Sequence, residues 1–139
     1  MSGCSLKGNA SETIFQYKDS YIGDTSAVAG IIKQLRSNEQ FEKLSLETKN
    51  KPYGMVVDYK ESRSMSEKNM EETALYNAAF IFALIKNANW ITFDFEIQKY
   101  TITKEKLEKW YGKPLGKISG EKELKSIYNQ KGVKGFFEN

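Results

Sequence analysis

The sequence contains no histidine, and this absence excludes several classes of enzyme. A Ser–His–Asp triad and a Cys–His pair both need an imidazole as their base. Zinc sites that use a histidine ligand are excluded as well. The single cysteine, Cys4, excludes both an intramolecular disulfide and a C-x-x-C pair.

Glycine motifs that bind phosphate are also missing, since there is neither a Walker-type loop with its lysine nor a G-x-G-x-x-G segment. The longest uncharged run, Thr73 to Ile85, has 13 residues, whereas a membrane-spanning helix needs about 20 apolar residues. What is present is the composition of an ordinary globular domain. The 139 residues are 40% hydrophobic and 28% charged, which is enough for one domain with its own core.

The positive charge is concentrated at the C-terminal end. Residues 1–98 carry 11 basic and 13 acidic side chains, and residues 99–139 carry 10 basic and 5 acidic ones. Such a basic region is typical of a surface for anionic lipid, wall polymer or nucleic acid, or of a solvated lysine-rich helix. Trp110, Tyr111 and Tyr128 lie among these lysines, where they either stack on bases or form apolar helix faces. We expect no nucleic-acid partner, because the first residues indicate an extracytoplasmic location.

Those first residues resemble the end of a bacterial lipoprotein signal. Small residues, Ser2 and Gly3, precede Cys4, and a polar segment follows it. In lipoproteins, cleavage occurs just before such a cysteine, which then carries the lipid. Cys4 is therefore either a lipid attachment site or an ordinary cysteine near a chain end. We favour lipid attachment, and predict a flexible tether over residues 1–12 and a single α+β domain over residues 13–139.

Hydrophobic periodicity predicts the elements of that domain. The expected order is a strand at 13–18, a helix at 25–36, a hairpin of strands at 44–48 and 55–59, a long buried helix at 66–88, a strand at 90–98 and two short C-terminal helices. This is the β-α-β-β-α-β order of a ferredoxin-like fold, an antiparallel sheet with two helices on one face. The core-facing positions of the last strand are predicted to be Ile91, Phe93, Phe95 and Ile97. On the long helix, Phe82 is either part of the core or an exposed patch for a partner.

Two stretches resemble a known family. Residues 15–28 (FQYKDSYIGDTSAV) and residues 44–59 (LSLETKNKPYGMVVDY) look like the Domain of Unknown Function 4825 family of Gram-positive bacteria, and the resemblance covers roughly residues 15–110. The family resembles short lipoproteins and the extracytoplasmic ends of antirepressor-type membrane metallopeptidases. The resemblance implies an extracytoplasmic module, and it carries over no catalytic residue.

Two groups of residues are candidates for a site. Turn residues from two segments are expected at one end of the sheet, where they form either a recognition edge or simply a helix cap and a hairpin turn: Tyr21, Gly23, Asp24, Pro52, Tyr53 and Gly54. Asp94 and Glu96 alternate on one strand face, which is a solvated acidic surface or a carboxylate pair for acid–base work.

The sequence therefore favours a lipid-anchored extracytoplasmic binding or regulatory module without catalysis, cofactor or metal. Its expected partner is an envelope protein or a wall component, and the membrane is reached through Cys4. The alternative is a small hydrolase that works without histidine and uses Asp94, Glu96 or Asp24 together with a tyrosine.

Overall fold

The computed structural model describes residues 10–138. The strands are β1 (Phe41–Glu47), β2 (Gly54–Tyr59), β3 (Trp90–Asp94) and β4 (Lys99–Thr103). The α-helices are α1 (Thr25–Ile32), α2 (Glu67–Leu84), α3 (Lys104–Tyr111) and α4 (Glu121–Lys131). Three 3₁₀ helices cover Ala10–Tyr17, Asn38–Gln40 and Leu115–Lys117. The predicted α+β class is thereby confirmed.

The four strands form one mixed sheet in the order β1-β2-β3-β4. The β1–β2 and β3–β4 pairs are antiparallel, and the β2–β3 pair is parallel. Helix α2 connects the two parallel strands β2 and β3, because parallel neighbours can be joined only by a long crossover segment. The prediction of a purely antiparallel, ferredoxin-like sheet is therefore wrong. The first predicted strand is not in the sheet, so β3 lies directly beside β2.

Helix α2 is the centre of the molecule. Twelve of its 18 residues are buried, and a helix that is apolar on all sides is one that other elements surround. The sheet, α1, α4 and the 3₁₀ helix at Leu115–Lys117 all contact it. Phe82 is 1% exposed and belongs to the core, so the exposed patch considered for it does not exist.

A buried amide fixes the chain around α2. The Asn77 side chain accepts the Arg36 backbone N–H at 3.1 Å and donates to the Arg36 carbonyl at 3.1 Å. It also donates to the Tyr59 hydroxyl at 3.0 Å. Without these bonds, the buried polar groups would have no hydrogen-bond partner. Each unpaired group would destabilise the fold by about 1–3 kcal/mol.

The strand predicted at 13–18 is wrong, because this segment is the 3₁₀ helix Ala10–Tyr17. Its aromatic residues pack on helices: the Phe15 ring lies 6.2 Å from that of Phe80, and the Tyr17 ring occupies the space that a Cβ on Gly30 would need. Local β-propensity is weak where tertiary packing offers another way to bury the same side chains.

The strand predicted at 90–98 is two strands with a turn between them. The Phe95 N–H donates to the Gln98 carbonyl at 2.9 Å, and Glu96 adopts a left-handed backbone with φ of 72°. Ile97, predicted to face the core, lies in this turn and is 55% exposed. The turn contains neither glycine nor proline, so no ordinary turn signal interrupts the alternation that predicted one long strand.

The predicted helix at 66–88 ends earlier, at Leu84. Ser20 forms a short parallel bridge with Ile85, accepting the Lys86 N–H at 2.7 Å and donating its own N–H to the Leu84 carbonyl at 2.9 Å. This long-range pairing draws the chain out of the helix. The helix cap expected at Asp24 is confirmed, and Ser66 and Thr103 cap α2 and α3 in the same way, since each of the three side chains accepts a backbone N–H in the first turn of its helix.

Candidate functional site

The sheet has one face against the core and one open face. On β3, Ile91 and Phe93 are fully buried, whereas Thr92 and Asp94, which alternate with them, are half-buried. Strand register arranges the side chains of the open face in three rows that cross the sheet. The charged row contains Lys43, Asp58, Asp94 and Lys99. The hydroxyl row contains Ser45, Val56, Thr92 and Thr101. The tryptophan row contains Glu47, Gly54, Trp90 and Thr103.

Two carboxylates lie side by side in the middle of the charged row. Asp58 and Asp94 are directly opposite each other on the parallel strands β2 and β3, which run about 4.8 Å apart. Burial raises the pKa of the Asp58 carboxyl, and the charge of Asp94 and a hydrogen bond to it raise that pKa further. Lys43 lowers it by a smaller amount, and the Lys99 ammonium lies 3.7 Å from Asp94. The row therefore combines a repelling pair with two flanking cations.

In the hydroxyl row, the side chains of Thr92 and Thr101 form a hydrogen bond of 2.7 Å across β3 and β4. Both threonines are on the solvent side of the strands, and Thr101 is exposed. Together with Ser45, they provide donors and acceptors in a plane that a flat partner surface can reach.

The tryptophan row joins the open face to the predicted recognition edge. The Trp90 indole packs directly on the backbone of Gly54, where a Cβ would collide with the ring. The indole N–H donates to the Pro52 carbonyl at 3.0 Å. Gly54 follows the hairpin turn but has no positive φ, because only Gly112, Gly132 and Gly135 among the described glycines have one. Glycine at position 54 instead allows the close approach of the indole.

The two halves of the predicted edge meet at one loop, residues 85–89. The Ile22 N–H donates to the Asn87 side chain at 2.7 Å, and the Asn89 N–H donates to the Tyr53 carbonyl at 2.8 Å. The loop therefore holds the segments around Tyr21 and Tyr53 from opposite sides.

Individual residues of that edge have different surroundings. The Tyr21 ring is 55% exposed, and the Lys86 ammonium lies 5.2 Å from its centroid. The Asp24 carboxylate accepts the Ala27 N–H at 3.2 Å as a helix cap. A Cβ on Gly23 would meet nothing within 4 Å, and no positive φ requires glycine there. Tyr21, Gly23 and Asp24 are all exposed, and Tyr21 is the one of them with a large apolar side chain at the surface.

Asp94 and Glu96, predicted as an acidic pair, have separate roles. The Glu96 carboxylate accepts the backbone N–H of Ser62 at 2.9 Å and its hydroxyl at 3.2 Å. Ser62 is itself fully buried and donates to the Phe95 carbonyl at 2.8 Å. The contact between the two acids is the Glu96 backbone N–H, which donates to the Asp94 carboxylate at 3.1 Å. The neighbouring carboxylate of Asp94 is Asp58, which only knowledge of the β2–β3 register reveals.

The aromatic residues considered for base stacking pack into the fold. The Trp110 ring lies 5.5 Å from that of Phe136, and the Tyr128 hydroxyl donates to the Glu72 carbonyl at 3.1 Å. The Tyr111 hydroxyl is buried, and burial raises its pKa. Apolar packing is thus a sufficient reason for these residues.

Within residues 10–138, no group of three or more acidic or cysteine side chains is placed to hold a metal ion. None of the helices described there is both long and apolar enough to cross a membrane. Cys4 and the first part of the predicted tether lie outside the described residues.

Fold and site together define a small α+β protein whose mixed sheet has one polar, solvent-accessible face. The profile of a family described as a domain of unknown function, DUF4825, matches residues 14–105, about two thirds of the chain. The chain therefore belongs to the DUF4825 family. The matched region contains all four strands, α1 and α2. No significant match was found among curated proteins or among solved structures.

Proposed function

We propose that this protein is a non-catalytic binding module that is anchored outside the cytoplasm by a lipid on Cys4. It binds an envelope protein or a wall component with the open face of its sheet. The observation that carries this proposal is the charged row. In that row, Asp58 lies directly opposite Asp94, and the pKa of Asp58 is raised. Asp94 has structural partners in the Glu96 N–H and the Lys99 ammonium, but Asp58 adds a second carboxylate beside it. A partner that presents a cation or a hydrogen-bond donor relieves the repulsion between the two.

The rest of the open face supports the same reading. On the same face, the threonine pair lies in the row next to the carboxylates, and Trp90 lies in the row beyond it. Tryptophan and polar groups on a flat surface are typical of protein interfaces. The indole is fixed by its contact with Gly54 and its hydrogen bond to Pro52, so little side-chain entropy is lost when a partner covers it.

The anchor and the binding face need separate tests. For the anchor, cells that make the full-length natural protein are labelled with a clickable palmitate. We expect label on the wild type and none on the Cys4→Ala variant. Equal labelling of the two forms, or label on neither, contradicts the anchor but leaves the binding face untouched.

For the binding face, a photo-crosslinking amino acid replaces Thr101 in the same cells. The matched control carries it at Lys122 on α4, which is also exposed. We expect adducts with an envelope protein or wall polymer from position 101, and their loss when Asp58→Asn and Asp94→Asn are added. Adducts from position 122 alone, or adducts that ignore the two substitutions, contradict the proposal.

A second candidate function, a small hydrolase, has one observation in its favour. The raised pKa of Asp58 beside Asp94 is the arrangement of a general acid next to a base. The other acids considered for catalysis are used elsewhere, Asp24 as a helix cap and Glu96 as an acceptor for Ser62. Hydrolysis of wall fragments or peptides by the purified protein, lost in Asp58→Asn and Asp94→Asn but kept in Glu96→Gln, would establish this function instead.

A further inference from the structure

A groove of about 310 Å³ lies away from the open face, between the C-terminal end of α2 and helix α3. Lysine side chains from three different segments line it: Lys86, Lys104 and Lys117. Phe82, Ala83 and Pro114 contribute its apolar part. One water needs roughly 10–15 Å³ of such space, so the groove has room for a small organic ligand.

The lysines of the groove have no carboxylate partner. Among the ion pairs within 4.0 Å in the described part of the chain, none involves Lys86, Lys104 or Lys117. The Lys104 ammonium donates to the Lys86 carbonyl at 3.3 Å, and the Lys86 ammonium lies 5.2 Å from the Tyr21 ring centroid. Neither contact supplies a negative charge, so the three positive charges have no counter-anion among the described residues.

The two acidic residues that line the groove, Asp19 and Glu108, already have partners within the protein. The Glu108 carboxylate accepts the Leu115 N–H at 2.9 Å, and Asp19 lies 3.8 Å from the Lys18 ammonium. Lys18 in turn donates to the Gly116 carbonyl at 2.7 Å, so a fourth cation lies at the rim. The groove has a net positive charge that the protein does not neutralise.

The cations of the groove are lysines and not arginines, and this difference indicates which class of anion the groove binds. A carboxylate is best recognised by the planar fork of an arginine, and none lines the groove. Lysine is a point charge that suits the several oxygens of a phosphate, whatever their orientation. The apolar floor favours a phosphate that is attached to a small carbon skeleton.

We propose that this groove binds an organic phosphate ester of about the size of glycerol phosphate. The inference goes beyond the proposed function, because it concerns a different surface and depends neither on the anchor nor on the open face. The ester is the shared chemistry of a phospholipid headgroup and of a free or polymeric glycerol phosphate.

The test is a titration of the purified full chain with glycerol 3-phosphate, followed by amide chemical shifts at constant ionic strength. We expect the shifts to surround Lys86, Lys104 and Lys117. The double variant Lys86→Gln/Lys117→Gln should bind roughly tenfold more weakly or worse. The matched control Lys68→Gln/Lys122→Gln removes the same charge from residues that do not line the groove, and should bind as the wild type does.

Three results would overturn the proposal. They are no saturable binding, equal weakening in both double variants, or shifts outside the groove. Thermal unfolding of each variant checks that folding is intact, and both lysines of the test pair are exposed.

Two further binding experiments identify whether the ester belongs to a lipid headgroup or to a glycerol phosphate polymer. Sedimentation with phosphatidylglycerol vesicles, against phosphatidylcholine vesicles, tests the lipid headgroup, and soluble poly(glycerol phosphate) tests the polymer. Binding of either one that the Lys86→Gln/Lys117→Gln variant loses supports the proposal and names its source. Binding that both double variants retain is adventitious charge attraction and contradicts it.

Discussion

The two faces of the sheet are built from the same four strands but differ in composition and packing. The core-facing side chains are apolar and closely packed, with Tyr59 stacked on Phe95 at 4.9 Å and Phe93 fully buried. On the open face, a charged row places Asp58 beside Asp94, and a threonine pair crosses β3 and β4. Successive side chains along a strand point to opposite faces, so each residue of the open face is next in sequence to one of the core face.

The difference shows which residues folding requires. Burial of apolar area stabilises the core face, so each of its residues has a large effect when truncated. The open face includes a carboxylate pair that opposes folding at neutral pH, because the pKa of Asp58 is raised. Residues that folding does not explain are the best candidates for function.

The largest effect is expected on the core face. Phe93→Ala should lower the free energy of unfolding by about 3–5 kcal/mol, because it removes a fully buried ring from the centre of the sheet. Denaturant unfolding followed by circular dichroism measures this. A loss of less than about 1 kcal/mol would contradict the assignment of Phe93 to the core.

The second effect is expected at a close contact within the tryptophan row of the open face. Gly54→Ala places a Cβ into the Trp90 indole, so the ring must move and its hydrogen bond to Pro52 is strained. We expect a loss of about 1–3 kcal/mol in the free energy of unfolding. The tryptophan fluorescence spectrum should change as well. The matched control is Gly23→Ala, where a Cβ meets nothing within 4 Å and little change is expected.

A smaller effect is expected on the open face. Thr92→Ala removes the hydroxyl hydrogen bond to Thr101 at an exposed position, so the loss should stay below about 1 kcal/mol. The same denaturant experiment is used, with Phe93→Ala as its partner on the opposite face. A Thr92→Ala loss as large as that of Phe93→Ala would remove the contrast between the faces.

Sequence reasoning succeeded where a pattern is local. The hairpin of β1 and β2, the buried central helix and the cap at Asp24 all follow from periodicity or from one side chain near a helix start. The core positions Ile91, Phe93 and Phe95 were also predicted correctly.

The errors occurred where a distant contact decides the structure. The bridge between Ser20 and Ile85 ends α2, and packing on Phe80 and Gly30 turns the predicted first strand into a 3₁₀ helix. The pairing of Asp58 with Asp94 depends on the parallel register of β2 and β3. A single sequence does not contain that register, so Asp94 was paired with its sequence neighbour Glu96 instead.

The central claim is that the carboxylate pair in the middle of the open face includes one member, Asp58, that folding does not require. Its most direct test is the stability of Asp58→Asn relative to the wild type across pH. In the folded protein, Asp58 holds its proton more tightly than in the unfolded chain, whose pKa is near the ordinary value of 3.8. The ionised carboxyl therefore costs stability above its raised pKa, and the cost disappears as the pH falls towards 3.8.

Asp58→Asn should thus be more stable than the wild type at pH 7, by a few tenths of a kcal/mol and less than about 1 kcal/mol at this solvent-screened position. The gain should shrink as the pH is lowered through that range. Asp19→Asn removes the same charge from an exposed site and is the matched control for the loss of one negative charge. An Asp58→Asn variant that is less stable than the wild type at pH 7 would contradict the claim, because the carboxylate would then be part of what holds the fold together.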